Sequence, residues 1–291
     1  MVILGAWGKR PVTISVKPNC LTVSVDKPAT ASVLSYDYAG RLWTAFLDGV
    51  SYRRGLDGKV VAKWRASGEE RERRWLAPAE ADALIEQACS LMAALYDAIQ
   101  TGRAAIQPEL PPQGWAGFER AIAFNAERSA QDVHRYHAIY KPVGILPPDQ
   151  YMAVVLQVTE GCSFNTCTFC DFYRDRPFRI KTPEELRAHA LAVREFLGEG
   201  LSLRRTIFLA DANALVVPMR QLKALVEVVH EVYDVESLGG LYAFLDGFSG
   251  ERKSVADYAW LKQRGLQRVY VGLESGNAEL LRFLRKPGSP D

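Results

Sequence analysis

The sequence of 291 residues predicts an α/β chain in two parts. An α+β part spans residues 1–148, and a part built on a parallel sheet spans residues 149–291. Three observations carry this prediction. Short β-branched and alternating runs fill the N-terminal region, apolar residues recur with helical period from Ala77, and strand and helix patterns alternate after Asp149. The length suits two domains of roughly 150 residues each.

The N-terminal region predicts an antiparallel sheet of roughly four to six strands. The strand patterns are Val12–Val16, Leu21–Val25, Ser32–Tyr36, Leu42–Leu47 and Val60–Trp64. Two segments between them, Asp37–Gly40 and Gly55–Gly58, contain the Asp and Gly residues that favour tight turns.

Two helices follow this sheet in the prediction. The first begins near Pro78, carries one apolar stripe and ends at Gly102, and the second spans about Gly117 to Tyr140. The segment Lys141–Pro148 contains three prolines, which remove backbone donors and favour extended geometry. We therefore place the domain boundary in this segment.

Four β/α units are predicted after Asp149. The strands are Met152–Thr159, Thr206–Ala210, Leu238–Leu245 and Gln267–Leu273, and the helices begin near Thr182, Pro218, Ser254 and Asn277. Thr182 and Glu185 have the spacing of a capping box. Such units form a parallel sheet with right-handed crossovers, and ligands bind at the carboxyl ends of its strands. The side chains at or just beyond those ends are Cys162, Asp211, Asp246 and Glu274.

Composition and charge exclude several classes of protein. With 48% hydrophobic and 24% charged residues, the chain is neither disordered nor collagenous. The formal net charge is only +2, so net charge does not support a nucleic-acid partner, and any such site would have to be local. No apolar run approaches the roughly 18 residues of a membrane span, and no secretory signal begins the sequence. We expect a cytoplasmic protein without a membrane partner.

Three of the five cysteines fall within nine residues, which indicates metal binding and argues against a disulfide framework. Cys162, Cys167 and Cys170 have the spacing C-x4-C-x2-C. A closed zinc site needs four ligands, and no fourth cysteine or histidine lies nearby. A [4Fe-4S] cluster with three thiolates would leave one iron open to a chelating ligand. A zinc-stabilised binding module and an iron–sulfur electron carrier remain as alternatives. Cys20 and Cys89 are expected to be small buried side chains.

The segment Gly161–Cys170, with Phe169 at its aromatic position, resembles the cysteine motif of the radical S-adenosylmethionine superfamily. The usual pattern there is C-x3-C-x-aromatic-C after the first strand of a partial (β/α)6 barrel, and this chain has one extra residue. The resemblance covers about residues 150–291. It implies a radical S-adenosylmethionine core that is C-terminally incomplete, with about four β/α units, preceded by an N-terminal α+β accessory domain.

Three further segments fit this resemblance. Asp171–Tyr173, just after the last cysteine, implies backbone and aromatic groups that approach the adenine. Phe208–Asn213 resembles a Gly-Gly-Glu stretch, which implies that Asp211 receives the methionine amino group. Val271–Gly276 is similar to a Gly-Leu-Glu-Ser-Gly segment in the branch with the elongator catalytic subunit, methylthiotransferases and oxygen-independent coproporphyrinogen oxidases. The cofactor-binding residues implied are Phe169, Asp171, Tyr173, Asp211, Asn213, Glu274 and Ser275.

The resemblance also implies the chemistry. The three cysteines would hold a [4Fe-4S] cluster, and reduction would cleave S-adenosylmethionine to methionine and a 5′-deoxyadenosyl radical that abstracts hydrogen from an unknown substrate. The electron donor would be flavodoxin- or ferredoxin-like. No catalytic residue beyond the cluster ligands is indicated. The elongator-like segment suggests tRNA modification as an alternative function.

Two basic segments leave alternatives open. A run beside the cysteines, Arg174, Arg176, Arg179 and Lys181, is typical of a solvated face but could attract a phosphate-bearing or carboxylate-rich substrate. Residues 41–75 contain nine basic and five acidic side chains and three tryptophans, Trp43, Trp64 and Trp75. An outer sheet face explains that composition at least as well as contact with RNA.

Overall fold

The computed structural model describes residues 1–28, 30–65 and 70–286. The chain divides into two compact units by its internal contacts. Unit 1 comprises Met1–Ala138 with Leu197–Leu203, and unit 2 comprises Ile139–Phe196 with Arg204–Asp291.

Unit 1 contains, over its described residues, a nine-stranded antiparallel sheet. The strands are β1 (Val2–Trp7), β2 (Arg10–Val16), β3 (Leu21–Lys27), β4 (Thr30–Tyr36), β5 (Leu42–Leu47), β6 (Val50–Arg54), β7 (Val60–Arg65), β8 (Arg71–Trp75) and β9 (Ala104–Gln107). Strands β1 to β8 pair in chain order, and β9 pairs with β1 at the other edge. The turn predicted at Gly55–Gly58 joins β6 to β7.

The expected number of four to six strands was therefore too low. Strand β8 reads Arg-Glu-Arg-Arg-Trp and is exposed along its whole length, so it lacks the alternating apolar pattern that predicts a strand. Strand β9 is only four residues long and follows a helix. Both form because a neighbouring strand supplies backbone hydrogen bonds, which can outweigh weak intrinsic propensity.

Three helices complete unit 1 within the described part of the chain: α1 (Pro78–Gln100), α2 (Pro112–Ala123) and α3 (Ala126–Ile139). Alternate side chains of the sheet pack with α1 and α2 in one hydrophobic core. Its fully buried members include Ile3, Ile14, Leu34, Met92, Leu95 and Phe118. The predicted first helix is confirmed.

The prediction of a single second helix from Gly117 to Tyr140 was wrong, because the structure has two helices there, α2 and α3. The Oδ1 atom of Asn125 accepts a hydrogen bond from the backbone N–H of Arg128 at 2.9 Å. This is the geometry of an N-cap, which satisfies a backbone donor at the start of a new helix.

A buried ion network fixes the Leu197–Leu203 segment within unit 1. Arg41 donates two hydrogen bonds to the carboxylate of Asp132, at 2.8 and 2.9 Å, and one to the carbonyl oxygen of Leu197 at 3.2 Å. Paired, fork-like bonds from arginine to a carboxylate are strong and directional.

Unit 2 contains, over its described residues, a four-stranded parallel sheet and a two-stranded antiparallel pair. The strands are β10 (Ala153–Gln157), β11 (Thr159–Glu160), β12 (Arg179–Ile180), β13 (Thr206–Ala210), β14 (Leu241–Asp246) and β15 (Leu266–Gly272); the helices are α4 (Pro183–Leu197), α5 (Met219–Val232), α6 (Val255–Gln263) and α7 (Ala278–Phe283). The parallel sheet has the strand order β10-β13-β14-β15, and β11 and β12 form the antiparallel pair. The parallel sheet and the capping box of Thr182 and Glu185 are confirmed. None of the helices in the described part of the chain combines the length and the hydropathy of a membrane-spanning segment.

Side chains that precede β10 bridge to β15, at the opposite edge of this sheet. The hydroxyl of Tyr270 donates to Asp149 at 2.6 Å and accepts from Gln150 at 3.0 Å, and Arg268 donates to Asp149 at 2.8 Å. In a flat sheet these strands would lie about 14 Å apart, or three strand spacings. The sheet is therefore curved, and the rings of Phe208, Phe244 and Tyr270 pack against one another.

A neutral histidine is buried against the end of β10. The Nε2 atom of His189, on α4, accepts a hydrogen bond from the backbone N–H of Gln157 at 3.1 Å. Burial lowers the pKa of His189 to about 4, and the charge of Lys181 acts in the same direction. Folding therefore favours the uncharged ring.

This pKa predicts how stability depends on pH. In the unfolded chain, His189 binds a proton below a pH of about 6.5. Above that pH the neutral ring therefore makes its full contribution to the free energy of unfolding. It is lost as the pH falls towards 4, by an amount on the order of 3 kcal/mol. We expect His189→Gln to flatten the decline in the free energy of unfolding over this range, as measured by urea unfolding at several pH values. His134→Gln, on the exposed face of α3, should leave the decline unchanged, and equal curves for both variants would contradict the assignment.

Candidate functional site

The three clustered cysteines lie on a loop whose two ends are paired. Strands β11 and β12 bring Glu160 opposite Arg179, so the loop of residues 161–178 starts and finishes at one place. Arg179 donates to Glu160 at 2.8 and 2.9 Å, and Lys181 donates at 2.7 Å. Burial raises the pKa of Glu160, but these bonds outweigh it and lower the pKa to about 2. Ion pairs thus hold the two ends of the cysteine loop together.

A second set of bonds attaches the cysteine loop to the sheet. The carboxylate of Asp211, which follows β13, accepts from Arg176 at 2.8 and 3.3 Å and from the backbone N–H of Gly161 at 3.3 Å. Its own backbone N–H donates to the hydroxyl of Thr159 at 3.1 Å. Burial raises the pKa of Asp211, and Arg176 acts against that shift. Asp211 thus contacts both ends of the loop.

Hydrogen bonds between side chains and the backbone order the part of the loop that carries the thiols. The guanidinium of Arg174 donates to the carbonyl oxygens of Cys170 and Cys167, each at 3.0 Å. The N–H of Asn165 points to the sulfur of Cys162 at 3.4 Å. All three thiols are half-buried and free, and burial raises the pKa of the Cys167 thiol.

The basic run beside the cysteines is therefore engaged within unit 2. Arg174 bonds to backbone carbonyls, Arg176 bonds to Asp211, and Arg179 and Lys181 bond to Glu160. These bonds order the loop, while Arg174 and Arg179 remain exposed to solvent.

A cavity of about 280 Å³ opens between the cysteine loop and the carboxyl ends of the parallel strands. From the loop it is lined by all three cysteines and by Phe164, Phe169, Phe172 and Tyr173; from the strand ends it is lined by Ala212, Asn213, Asp246, Gly272 and Glu274. The walls are mainly apolar with a few polar groups, which is typical of small-molecule and cofactor pockets.

One polar cluster at the strand ends has an unused acceptor. The amide nitrogen of Asn213 donates to Asp246 and to the hydroxyl of Ser249. Asp246 is held in turn by the backbone N–H of Ser249 at 2.6 Å. The Oδ1 atom of Asn213 is buried and has no hydrogen-bond partner in the described part of the chain. Because a buried acceptor is costly to leave unpaired, this oxygen is a candidate contact for a ligand donor.

An ion pair lies on the β15 side of the cavity. Lys286 donates to Glu274 at 3.0 Å, and both side chains line the cavity. Nearby, the carbonyl oxygen of Leu284 accepts from the N–H of Thr168, within the cysteine loop, at 3.0 Å. The segment that follows α7 is therefore bonded to the loop between two of its cysteines.

The structure brings most of the predicted site residues together. Seven of them line the cavity: Cys162, Cys167, Cys170, Phe169, Tyr173, Asn213 and Glu274. Three do not: Asp211 is buried beside the loop, Asp171 is exposed, and the hydroxyl of Ser275 accepts from the N–H of Asn277.

Two residues that line the cavity, Asp246 and Lys286, were not among the predicted cofactor-binding residues. Asp246 stands before a glycine, which favours a turn interpretation, although its place at the end of β14 also marks it as a site residue. Nothing in the sequence signals the position of Lys286, because its approach depends on the path of α7.

Among the described residues, no group of three or more His, Cys, Asp or Glu side chains is arranged around a single metal ion. Three thiols at one cavity nevertheless fit the donor chemistry of an iron–sulfur cluster, since thiolates are its usual ligands. Each thiolate would bind a separate iron, so the three need not converge on one point.

Comparison with known proteins bears on the same region. Residues 156–291 match the family model described as the radical SAM superfamily. Comparisons with curated proteins and with solved structures gave no match. The matched region starts within β10 and includes the cysteine loop, the strand ends that line the cavity, and α7. Residues 156–291 of this chain are therefore similar to the radical SAM superfamily.

Proposed function

We propose that this protein is a radical S-adenosylmethionine enzyme in which Cys162, Cys167 and Cys170 hold a [4Fe-4S] cluster. The observation that carries the proposal is that three thiols from one loop border a single cavity at the carboxyl ends of four parallel strands. The match of residues 156–291 to the superfamily supports it independently. The substrate is not specified by these features.

When bound, the cluster would supply one electron, from a flavodoxin- or ferredoxin-like donor, to cleave S-adenosylmethionine to methionine and the 5′-deoxyadenosyl radical. The protein would bind and shield the cofactor. Phe169 and Tyr173 would pack against it on the loop side, and Asn213 and Glu274 would offer acceptors on the strand side. Excluding water protects reactive species from side reactions.

Asn213 is the residue we assign to the methionine ammonium. Its Oδ1 atom is buried at the cavity and unpaired within the described residues, while its amide nitrogen is fixed by Asp246. We assign Asp211 a positioning role, because its Oδ2 atom is bonded to Arg176 and Gly161 and the residue does not line the cavity; its Oδ1 atom, like that of Asn213, is buried and unpaired within the described residues. Asp171 and Ser275 would contact the cofactor only after local movement.

The curvature of the parallel sheet supports the proposal that residues 149–291 form part of a (β/α)6 barrel. The bridge from Asp149 and Gln150 to β15 draws the two edge strands towards each other, as closure of a barrel requires. Residues 1–148 would then be an α+β accessory domain.

We expect Cys162→Ala, Cys167→Ala and Cys170→Ala each to lose iron, acid-labile sulfide and formation of 5′-deoxyadenosine, because each thiolate would bind one corner of the cluster. Iron and sulfide analysis of reconstituted protein measures the first two, and chromatography of the reaction mixture measures the third. Cys20→Ala and Cys89→Ala are the matched controls and should keep about four irons per chain.

Full iron content and turnover in any of the three loop variants would refute the assignment. One zinc per chain in place of iron would favour a zinc-stabilised binding module. A cluster that does not cleave S-adenosylmethionine would favour an electron carrier.

Asn213→Ala should weaken binding of S-adenosylmethionine at least about tenfold while leaving iron content unchanged, because it removes a hydrogen bond to a charged group. Equilibrium binding to the reconstituted protein measures this. Gln263→Ala, an exposed position at the end of α6, should bind the cofactor as the parent does. Parent-like affinity in Asn213→Ala would rule out the ammonium contact.

Asp211→Asn should lower iron content together with cofactor binding, because it removes the buried counter-charge of Arg176 and leaves that guanidinium with only the exposed carboxylate of Asp175. Iron and sulfide per chain, measured after reconstitution, give the result. Asp171→Asn, an exposed change on the same loop, should retain the cluster. If Asp211→Asn keeps its cluster and loses only cofactor affinity, Asp211 contacts the cofactor directly.

A further inference from the structure

Five basic side chains lie on one face of strands β6, β7 and β8 of the unit 1 sheet. Side chains alternate between the two faces along a strand, and the pairing register places Lys63 opposite Arg73, Arg65 opposite Arg71, and Val61 opposite both Arg53 and Trp75. The residues that we call the basic sheet face are Arg53, Lys63, Arg65, Arg71, Arg73 and Trp75. All six are exposed.

This arrangement places like charges in direct opposition. Lys63 faces Arg73, and Arg65 faces Arg71, and like charges at opposed positions destabilise a sheet. None of the five basic side chains forms an ion pair with another described residue. No acidic side chain occupies this face of β6, β7 or β8. The repulsion is therefore not balanced within the part of the chain that the structure describes.

The opposite face of β8 differs. Glu72 and Arg74 alternate to that side, and Arg74 is paired with Glu80 at 2.6 and 2.7 Å. Charge on an edge strand discourages pairing with another chain, and that could account for charge on β8. It does not account for Lys63 and Arg65, because β7 is not an edge strand.

The basic sheet face also offers groups that recognise bases and sugars. The indole of Trp75 is 66% exposed, and exposed aromatic rings beside cations form stacking platforms for single-stranded nucleic acids. Ser51 lies opposite Lys63, and Thr44 lies opposite Arg53, so two hydroxyls share the face. Hydroxyl groups can bond to the 2′-hydroxyl, which distinguishes RNA from DNA.

We propose that the basic sheet face binds a single-stranded segment of RNA, with its cations on the phosphates and Trp75 stacked on a base. The charge on this face is +5, whereas the net charge of the whole chain is +2. RNA would therefore bind at this face and not over the protein surface in general. The proposal goes beyond the radical chemistry and does not depend on it, because binding can be measured without the cluster.

The test uses the full chain and a fluorescein-labelled, unstructured RNA of about 16 nucleotides. Fluorescence anisotropy at several salt concentrations should show binding with a log–log slope near −3.5, or about −0.7 for each of five phosphate contacts. Arg71→Gln with Arg73→Gln should reduce the magnitude of that slope by about 1.4. Trp75→Ala should weaken binding at least about fivefold, and Trp75→Tyr should retain it.

The matched control is Arg220→Gln with Lys262→Gln, which removes the same charge from two exposed positions of unit 2 and should bind RNA as the parent does. The thermal midpoint of the Arg71→Gln, Arg73→Gln variant should not fall, since the change relieves repulsion. A lower midpoint would show that the charges are structural and would overturn the proposal.

Three other results would also overturn it: no binding of RNA at low salt, an equal loss in the control variant, or binding of DNA of the same sequence as tight as that of RNA. Equal binding to vesicles of phosphatidylcholine with phosphatidylserine would assign the face to a membrane surface instead.

Discussion

The buried ion pair between Arg176 and Asp211 is the interaction on which the geometry of the cysteine loop depends. Asp211 is fixed at the end of a strand, Arg176 lies near the end of the loop, and Gly161 lies at its start. One carboxylate thereby holds both ends of the loop on a rigid sheet. Breaking such a buried pair by removing one partner typically costs about 3–5 kcal/mol. Gly161 has a φ of 74°, and a Cβ atom there would lie 2.8 Å from the carbonyl oxygen of Pro177, so the close approach requires glycine.

Much of this arrangement follows from local sequence, and the rest depends on distant contacts. The β/α alternation and the position of the cysteines after β10 could be predicted, because apolar runs and spacing are local signals. The pairing of Arg176 with Asp211 could not, since the two are separated by 35 residues and arginines near a loop usually face solvent. The strand Arg71–Trp75 was missed because it forms by backbone pairing with β7 and lacks an alternating apolar pattern. The break at Asn125 was missed because its side chain caps a new helix although the helical period of apolar residues continues.

The curved sheet helps to explain the position of the cavity at the carboxyl ends of the strands. The rings of Phe208, Phe244 and Tyr270 fill the space between the strands, with centroids 5.1–6.2 Å apart, and Phe244 and Tyr270 also line the cavity. Beyond them the strand ends carry small residues, such as Ala212 and Gly272. Because the large rings lie within the sheet and small residues lie at the strand ends, there is room for a ligand beside the thiols.

The hydrogen bond from Thr168 to the carbonyl oxygen of Leu284 couples the thiol-bearing loop to the segment after α7. Coupling between two sites is reciprocal in free energy. Any group that orders the loop by binding its thiols will therefore protect the last helical turn of α7 from opening. The amide of Thr168 should exchange its hydrogen more slowly for the same reason. The end of α7 would then report on the state of a metal centre to which it contributes no ligand.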